Sequence, residues 1–264
     1  MEKYLIYPIN RPQTFLEKII CNLSKWPIFC PVCGNISYIS NINKQNLRET
    51  CLCNICHSTN RQRQIAFTLC QHLKISSLKE IEFIKKKVII YNTESSGPVH
   101  NRLIKYPYYI YSEYFGEQYK SGEKVNGILN EDLNKLSFND DTIDIVISSD
   151  VFEHIPSPYK AHKEVYRVLK KDGYHIFSVP FYQNQYLDET RAIVSKKEVT
   201  KYFKKPIYHD DGVRPEKGIL VFTIFSLEML SKLFALGFYT NMYVLNKPCY
   251  GILGSNAIIF KSIK

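Results

Sequence analysis

The run Ile143-Asp-Ile-Val-Ile-Ser148 constrains this chain more than any other segment. It is a short apolar stretch rich in β-branched residues, as a strand buried on both faces requires. A helical pattern follows from about Tyr159 to Lys170, with Ala161, Val165, Val168 and Leu169 as its apolar stripe and Gly173 as its stop. A second apolar run, Tyr174 to Val179, ends at Pro180. Strand, amphipathic helix and strand in succession is what two parallel neighbours joined by a crossover look like in sequence. The pattern recurs upstream. Val88 to Tyr91 leads through the turn-rich loop Asn92 to Pro98 into a helix over 98–105, then into Tyr108 to Tyr111 and a weaker strand at 125–129. Downstream, Ser226 caps a helix through Ala235 that stops at Gly237, and strands follow at 239–245 and 255–261. The expectation is an α/β fold: one doubly wound, mostly parallel sheet of seven strands, with helices between the first five.

With 264 residues the chain can hold such a domain and a small satellite. We place the satellite at 1–80 and the α/β domain at 81–264, with an insertion at about 181–225. No apolar run is long enough to cross a bilayer. The start, MEKYLIYPINRPQTF, carries an acid at position 2 and prolines at 8 and 12, unlike an export signal, so a cytoplasmic location is expected. The formal charge of +10 invites a phosphate-bearing partner, but the lysines form short scattered clusters, such as Lys85 to Lys87 and Lys204–Lys205. Nucleic acid is therefore a possible partner that the sequence does not favour. Nothing fixes an oligomeric state.

Four of the eight cysteines form two pairs, Cys30-Pro-Val-Cys33 and Cys53-Asn-Ile-Cys56, with 19 residues between them. This is zinc-ribbon spacing. Two intervening residues let a tight turn aim both sulfurs at one ion, and a second turn completes the tetrahedron. Gly34 follows the first pair, where a knuckle needs positive φ, and Ile36, Tyr38 and Ile39 supply a hairpin. Four protein ligands make the zinc structural. Cys51 is a competing ligand of poorer spacing, a redox pair is the rival chemistry, and Cys21, Cys70 and Cys249 read as ordinary thiols. Flanking helices are expected at 11–24 and 61–74, with Arg61 and Arg63 starting the second.

The stretch Asn130 to Pro180, NEDLNKLSFNDDTIDIVISSDVFEHIPSPYKAHKEVYRVLKKDGYHIFSVP, resembles the class I (Rossmann-like) S-adenosylmethionine-dependent methyltransferases of the methyltransferase-11 kind. It is most similar to a subset with an N-terminal zinc ribbon and a Ser-Glu-Tyr, here Ser112-Glu113-Tyr114, ending the second strand. The resemblance implies S-adenosylmethionine as cofactor. It implies that Glu113 accepts hydrogen bonds from the ribose hydroxyls with Tyr114 beside it. Asp132 and Leu133 would read the adenine, and Ser149 and Asp150 would lie beside the methionine portion. Glu131 reads as solvated. The first loop departs from the family by having only Gly97, so Glu94 or a serine is expected to take part there.

Methyl transfer from a sulfonium is an in-line displacement in which protein aligns the partners and, where needed, supplies a base. His154, in Glu153-His154-Ile155-Pro156, could be that base or could simply order the loop with Glu153. His209 with Asp210 or Asp211, in the insertion, could act as base, bind a metal or contact the acceptor. The expected acceptor is a small molecule or glycan. An RNA or protein acceptor, or a ribbon module on a fold that has lost its cofactor, are the alternatives.

Overall fold

The computed structural model describes residues 14–44, 46–195, 198–209 and 218–264. A short helix, α1 (Phe15–Ile20), opens on a Thr14–Glu17 capping box. Strands β1 (Trp26–Phe29), β2 (Ile36–Ser40) and β3 (Leu52–Cys53) form an antiparallel sheet around the cysteines. Helix α2 (Asn60–Leu73) follows, capped by Thr59 and Gln62.

Helix α2 is seated by polar ties rather than by its apolar face alone. Asn60 donates to Leu253 O at 2.7 Å and to Leu47 O at 3.0 Å. Arg63 is fully buried and donates to Cys51 O (2.7 Å), Gly251 O (2.8 Å) and Ser58 O. A buried guanidinium is tolerable only when carbonyls surround it in this way.

The main sheet begins with β4 (Ile90–Asn92), then α3 (Gly97–Leu103) and β5 (Tyr109–Glu113). A hairpin of β6 (Lys124–Val125) and β7 (Ile128–Asn130) comes next, followed by β8 (Ile143–Ser149), α4 (Pro158–Val168) and β9 (Leu169–Ser178). The 181–225 stretch adds short strands, β10 (Phe181–Tyr182), β11 (Glu189–Thr190), β12 (Ala192–Ser195), β13 (Glu198–Tyr202), β14 (Tyr208–His209), β15 (Ile219–Leu220) and β16 (Thr223–Ser226). Helix α5 (Leu227–Ala235) and strands β17 (Tyr239–Val244) and β18 (Ile258–Ile263) complete the chain.

The sheet order is β17-β18-β9-β8-β4-β5-β7-β6. Strands β9, β8, β4, β5 and β7 run parallel, while β18 is antiparallel to β9 and β17 to β18. This is the expected mixed α/β architecture with a large, mostly parallel sheet. Alternation along each strand sends side chains to opposite faces. Ile90, Ile145, Ile147, Ile176 and Ile259 join the core beneath α2 and the cysteine unit. Tyr91, Val146, Phe177 and Phe260 join the core beneath α4 and α5.

Several sequence expectations change. The sheet has eight strands, because the third position is a hairpin whose outer arm, β6, pairs antiparallel. Helices do not separate all of the first five parallel strands: β5 reaches β7, and β7 reaches β8, through turns and the hairpin. The first helix is shorter than 11–24, spanning Phe15–Ile20 among the described residues. Gly173 lies inside β9 rather than at a helix end. Helix α4 stops at Val168 as Leu169 turns extended, and a Cβ on Gly173 would stand 2.8 Å from Lys170 O and 3.1 Å from Asp144 O. Close backbone approach, not left-handed φ, explains that glycine. Ser226 occupies the N-cap position of α5 but makes no side-chain cap; its hydroxyl accepts from Gln185 Nε2 at 3.1 Å.

Candidate active site

Open parallel sheets bind ligands beyond the carboxyl ends of their strands. A cavity of about 580 Å³ lies there, lined from β4 by Tyr91, from β5 by Glu113 with Tyr114 after it, and from the residues after β7 by Asp132 and Leu133. Val151 and His154, after β8, close another side, and Val194, Ile219 and Phe222 of the 181–225 segment contribute to the wall.

Glu113 ends β5 and accepts hydrogen bonds from both the amide and the hydroxyl of Ser95, each at 2.9 Å. The carboxylate therefore fixes the β4–α3 loop as well as facing the cavity. Asp132 Oδ1 accepts from Asn134 N at 2.8 Å and Asn134 Nδ2 at 3.1 Å, an Asx-type turn that presents Leu133. Leu133 is nearly buried and belongs to the core beneath α4. Glu131, expected to be solvated, is buried instead. It accepts from Ser137 N at 2.9 Å and from the Ser137 hydroxyl, and burial raises its pKa against those bonds.

Gly97 opens α3 with φ +87, a left-handed value that disfavours any other residue. Glu94 is half-buried and does not line the cavity, although its neighbour Thr93 does. Burial pushes its carboxyl up to about 7, with the nearby Arg61 guanidinium pulling the other way.

Ser149, the last residue of β8, and Asp150 after it bond to Arg61 of α2 and Arg48 of the cysteine unit instead of lining the cavity. Asp150 sits at φ +54 and is held by both Nη atoms of Arg48, one at 2.5 Å, with Arg61 Nε at 3.4 Å and the Ser178 hydroxyl at 3.0 Å. Burial alone would raise its pKa, but the two guanidiniums outweigh it and hold the carboxyl well below the usual range. Arg61 also donates to the Ser149 hydroxyl and to Glu49.

Two predicted residues are brought together that lie 55 positions apart. His209 Nδ1 is 3.2 Å from His154 Nε2, and Glu153 Oε1 stands 3.6 Å from His154 Nε2 and 3.8 Å from His209 Nδ1. His154 Nδ1 donates to Leu220 O at 2.9 Å, which leaves the lone pair on Nε2. Glu153 is fully buried, and burial raises its pKa well above the ordinary value. Asp210, the third expected catalytic residue, lies outside the described residues, as does Asp211.

The cysteine unit forms the second candidate site. Gly34 N donates to Cys30 O, and His57 N to Cys53 O, each at 2.8 Å, so the two pairs lie in matching knuckle turns. Gly34 has φ +69. Sulfurs of Cys30 and Cys56 are 3.7 Å apart and those of Cys33 and Cys53 are 4.0 Å apart. A tetrahedron with Zn–S bonds of about 2.3 Å has edges near that length, so these four residues fit one ion. Cys51 is buried but stands outside the cluster.

Sequence reasoning missed Arg48. Its partner lies 102 residues away, and no local pattern marks a loop arginine for such a role.

Residues 111–177 match the family model described as Methyltransferase domain. The matched segment runs from β5 through β9. Over 101 residues the chain is 30% identical to an uncharacterized methyltransferase of Mycobacterium leprae, covering 36% of each chain, so it spans about a third of that relative's length. Among solved structures it is similar to an S-adenosylmethionine-dependent methyltransferase from Mesorhizobium loti (14% identity, TM-score 0.42, 69% of this chain and 94% of that one). It is also similar to the 1,6-didemethyltoxoflavin-N1-methyltransferase of Burkholderia thailandensis (9% identity, TM-score 0.42, 78% of each chain).

Proposed function

We propose that this chain is an S-adenosylmethionine-dependent methyltransferase acting on a small-molecule or glycan acceptor, with a structural zinc ion on Cys30, Cys33, Cys53 and Cys56. The observation that carries the reading is the cavity with Glu113 at the tip of β5 and the Asp132–Leu133 pair beyond β7 on its walls. A strand-end carboxylate accepts from two ribose hydroxyls, while an acid beside an apolar side chain suits the amino group and face of adenine. The resemblance in sequence over Asn130 to Pro180 and the match to the methyltransferase domain support the same reading.

The cofactor supplies an electrophilic methyl on a sulfonium, and the chain supplies orientation. Glu113 and the Ser95 loop would hold the sugar, and Leu133 would pack against the base. Tyr114, half-exposed at the end of β5, would flank the ribose. Ser149 and Asp150 would then act on the donor's methionine end only indirectly, through Arg48, Arg61 and the loop they set. The acceptor would enter between His154 and the wall from the 181–225 segment, to which Val194, Ile219 and Phe222 give a partly apolar character. A partly apolar cleft suits a small acceptor or a sugar better than a wide basic groove would.

Isothermal calorimetry with S-adenosylmethionine tests the reading. Binding at roughly one donor per chain is expected, and a flat titration removes the proposal.

A further inference from the structure

Glu153 presents a problem that the methyl-transfer reading leaves open. Its side chain is fully buried, and among the described residues neither carboxylate oxygen accepts a hydrogen bond. A carboxylate in that position requires either a proton or a cation. Two imidazole nitrogens, from His154 and His209, stand 3.6 and 3.8 Å from Oε1. We propose that Glu153, His154 and His209 bind a divalent first-row transition-metal ion at the acceptor side of the cavity.

The geometry carries the proposal. The three donor atoms are 3.2, 3.6 and 3.8 Å apart, and the point equidistant from them lies about 2.1 Å from each, the length of a metal–imidazole or metal–carboxylate bond. The Nδ1–H of His154 donates to Leu220 O, so its Nε2 lone pair is aimed at that point by an outer hydrogen bond of the kind that orients metal-binding histidines. The backbone is pinned as well, since Phe222 N donates to Glu153 O at 2.7 Å. Asp150, three residues before Glu153, is taken up by Arg48 and Arg61 and is not a ligand. Two imidazoles and one carboxylate select zinc, iron or manganese over magnesium or calcium.

Three protein ligands leave at least one coordination position for water or an acceptor oxygen. His154 lines the cavity, so that position is next to where an acceptor would lie. The ion's place in methyl transfer rests on the function proposed above; its binding does not.

The test uses the full chain. After loading with zinc and gel filtration, the native chain should hold about two zinc ions, one on the thiolates and one here. Glu153→Gln and His209→Ala should each hold about one while melting at a similar temperature. A native chain holding one ion, or variants still holding two, overturns the proposal. Cobalt(II) gives a second readout that needs no variant. The first equivalent should show intense thiolate charge-transfer absorption, and the second should add only weak ligand-field bands. Thiolate bands from both equivalents, or no second equivalent, would count against the site. Calorimetry with S-adenosylmethionine on the same samples separates the two claims, because a chain that takes the second metal but no donor keeps this site and loses the proposed activity.

Discussion

Arg48, in the loop between the two cysteine pairs, places both guanidinium Nη atoms on the two carboxylate oxygens of Asp150 at the end of β8. Both side chains are largely shielded from solvent, at 13% and 15% exposure. The cysteine unit thereby reaches the rim of the sheet where the cavity lies. Without Arg48, Asp150 keeps only the longer Arg61 contact and the Ser178 hydroxyl. Arg48→Ala should destabilise the chain by about 2 kcal/mol, and Arg48→Ala with Asp150→Ala should cost clearly less than the sum of the single changes. Urea unfolding of the four chains in a double-mutant cycle measures this; additive losses would show that the pair is not coupled.

Cofactor affinity should depend on the strand-end acids. Glu113→Ala and Asp132→Ala are each expected to weaken S-adenosylmethionine binding by about 30-fold or more, the worth of a lost charge-assisted contact. Glu113→Ala should be the more severe, because the same carboxylate holds Ser95 and with it the β4–α3 loop. Calorimetry gives the affinities, and circular dichroism should show an unchanged fold. Native-like binding by both variants would refute the assignment.

The buried histidines should cost stability on mild acidification, against an opposing gain from Glu94 and Glu153, whose carboxyls burial holds above their ordinary range. His162 and His175 are fully buried among Phe152 and Phe177, and His162 makes no side-chain hydrogen bond among the described residues. Burial pushes the His162 pKa down to about 3 and holds His175 well below its ordinary value. Both stay neutral in the fold, whereas the unfolded chain takes up protons near pH 6.5. Their stabilising contribution is complete above that pH and is lost progressively as pH falls toward the folded-state values. By pH 5 the loss should approach about 2 kcal/mol for each histidine. Melting curves of the native chain and His162→Phe between pH 7.5 and 5 isolate the His162 contribution: the variant should gain on the native chain by about 2 kcal/mol on going to pH 5, and parallel curves would show that His162 does not contribute.

Stripping the zinc proposed for the four cysteines should weaken the whole chain, not merely the cysteine unit. Cys30, Cys33 and Cys53 share one continuous core with Ile90, Ile145 and Ile176 of the sheet. A strong chelator is expected to lower stability by several kcal/mol in a single cooperative transition. Two separated transitions in scanning calorimetry would mean that the ribbon melts alone.

The strands and helices with clean periodicity were legible from sequence, as β8 and α4 show, because burial on both faces leaves an unmistakable apolar run. The cysteine spacing was legible because the knuckle is a local turn. Glu131 was not, since its burial depends on a hydroxyl six residues away across a turn, and acids in loops usually face water. Gly173 misled because a glycine after a helical stripe ordinarily ends the helix, whereas here it lets β9 pass close to the Asp144 carbonyl. The 55-residue separation of His154 and His209 hid their meeting, although each was singled out separately as a candidate.

The ties of Arg63 to Gly251 and of Asn60 to Leu253 join residues 188 and 193 positions apart. Arg63 and Asn60 meet Cys51 O, Ser58 O and Leu47 O within the cysteine unit, but their remaining acceptors lie that much further along the chain and are made correspondingly later. A chain cut before Gly251 would leave the buried Arg63 guanidinium and Asn60 amide short of these acceptors, a desolvation cost that works against seating α2 and the cysteine unit on the sheet.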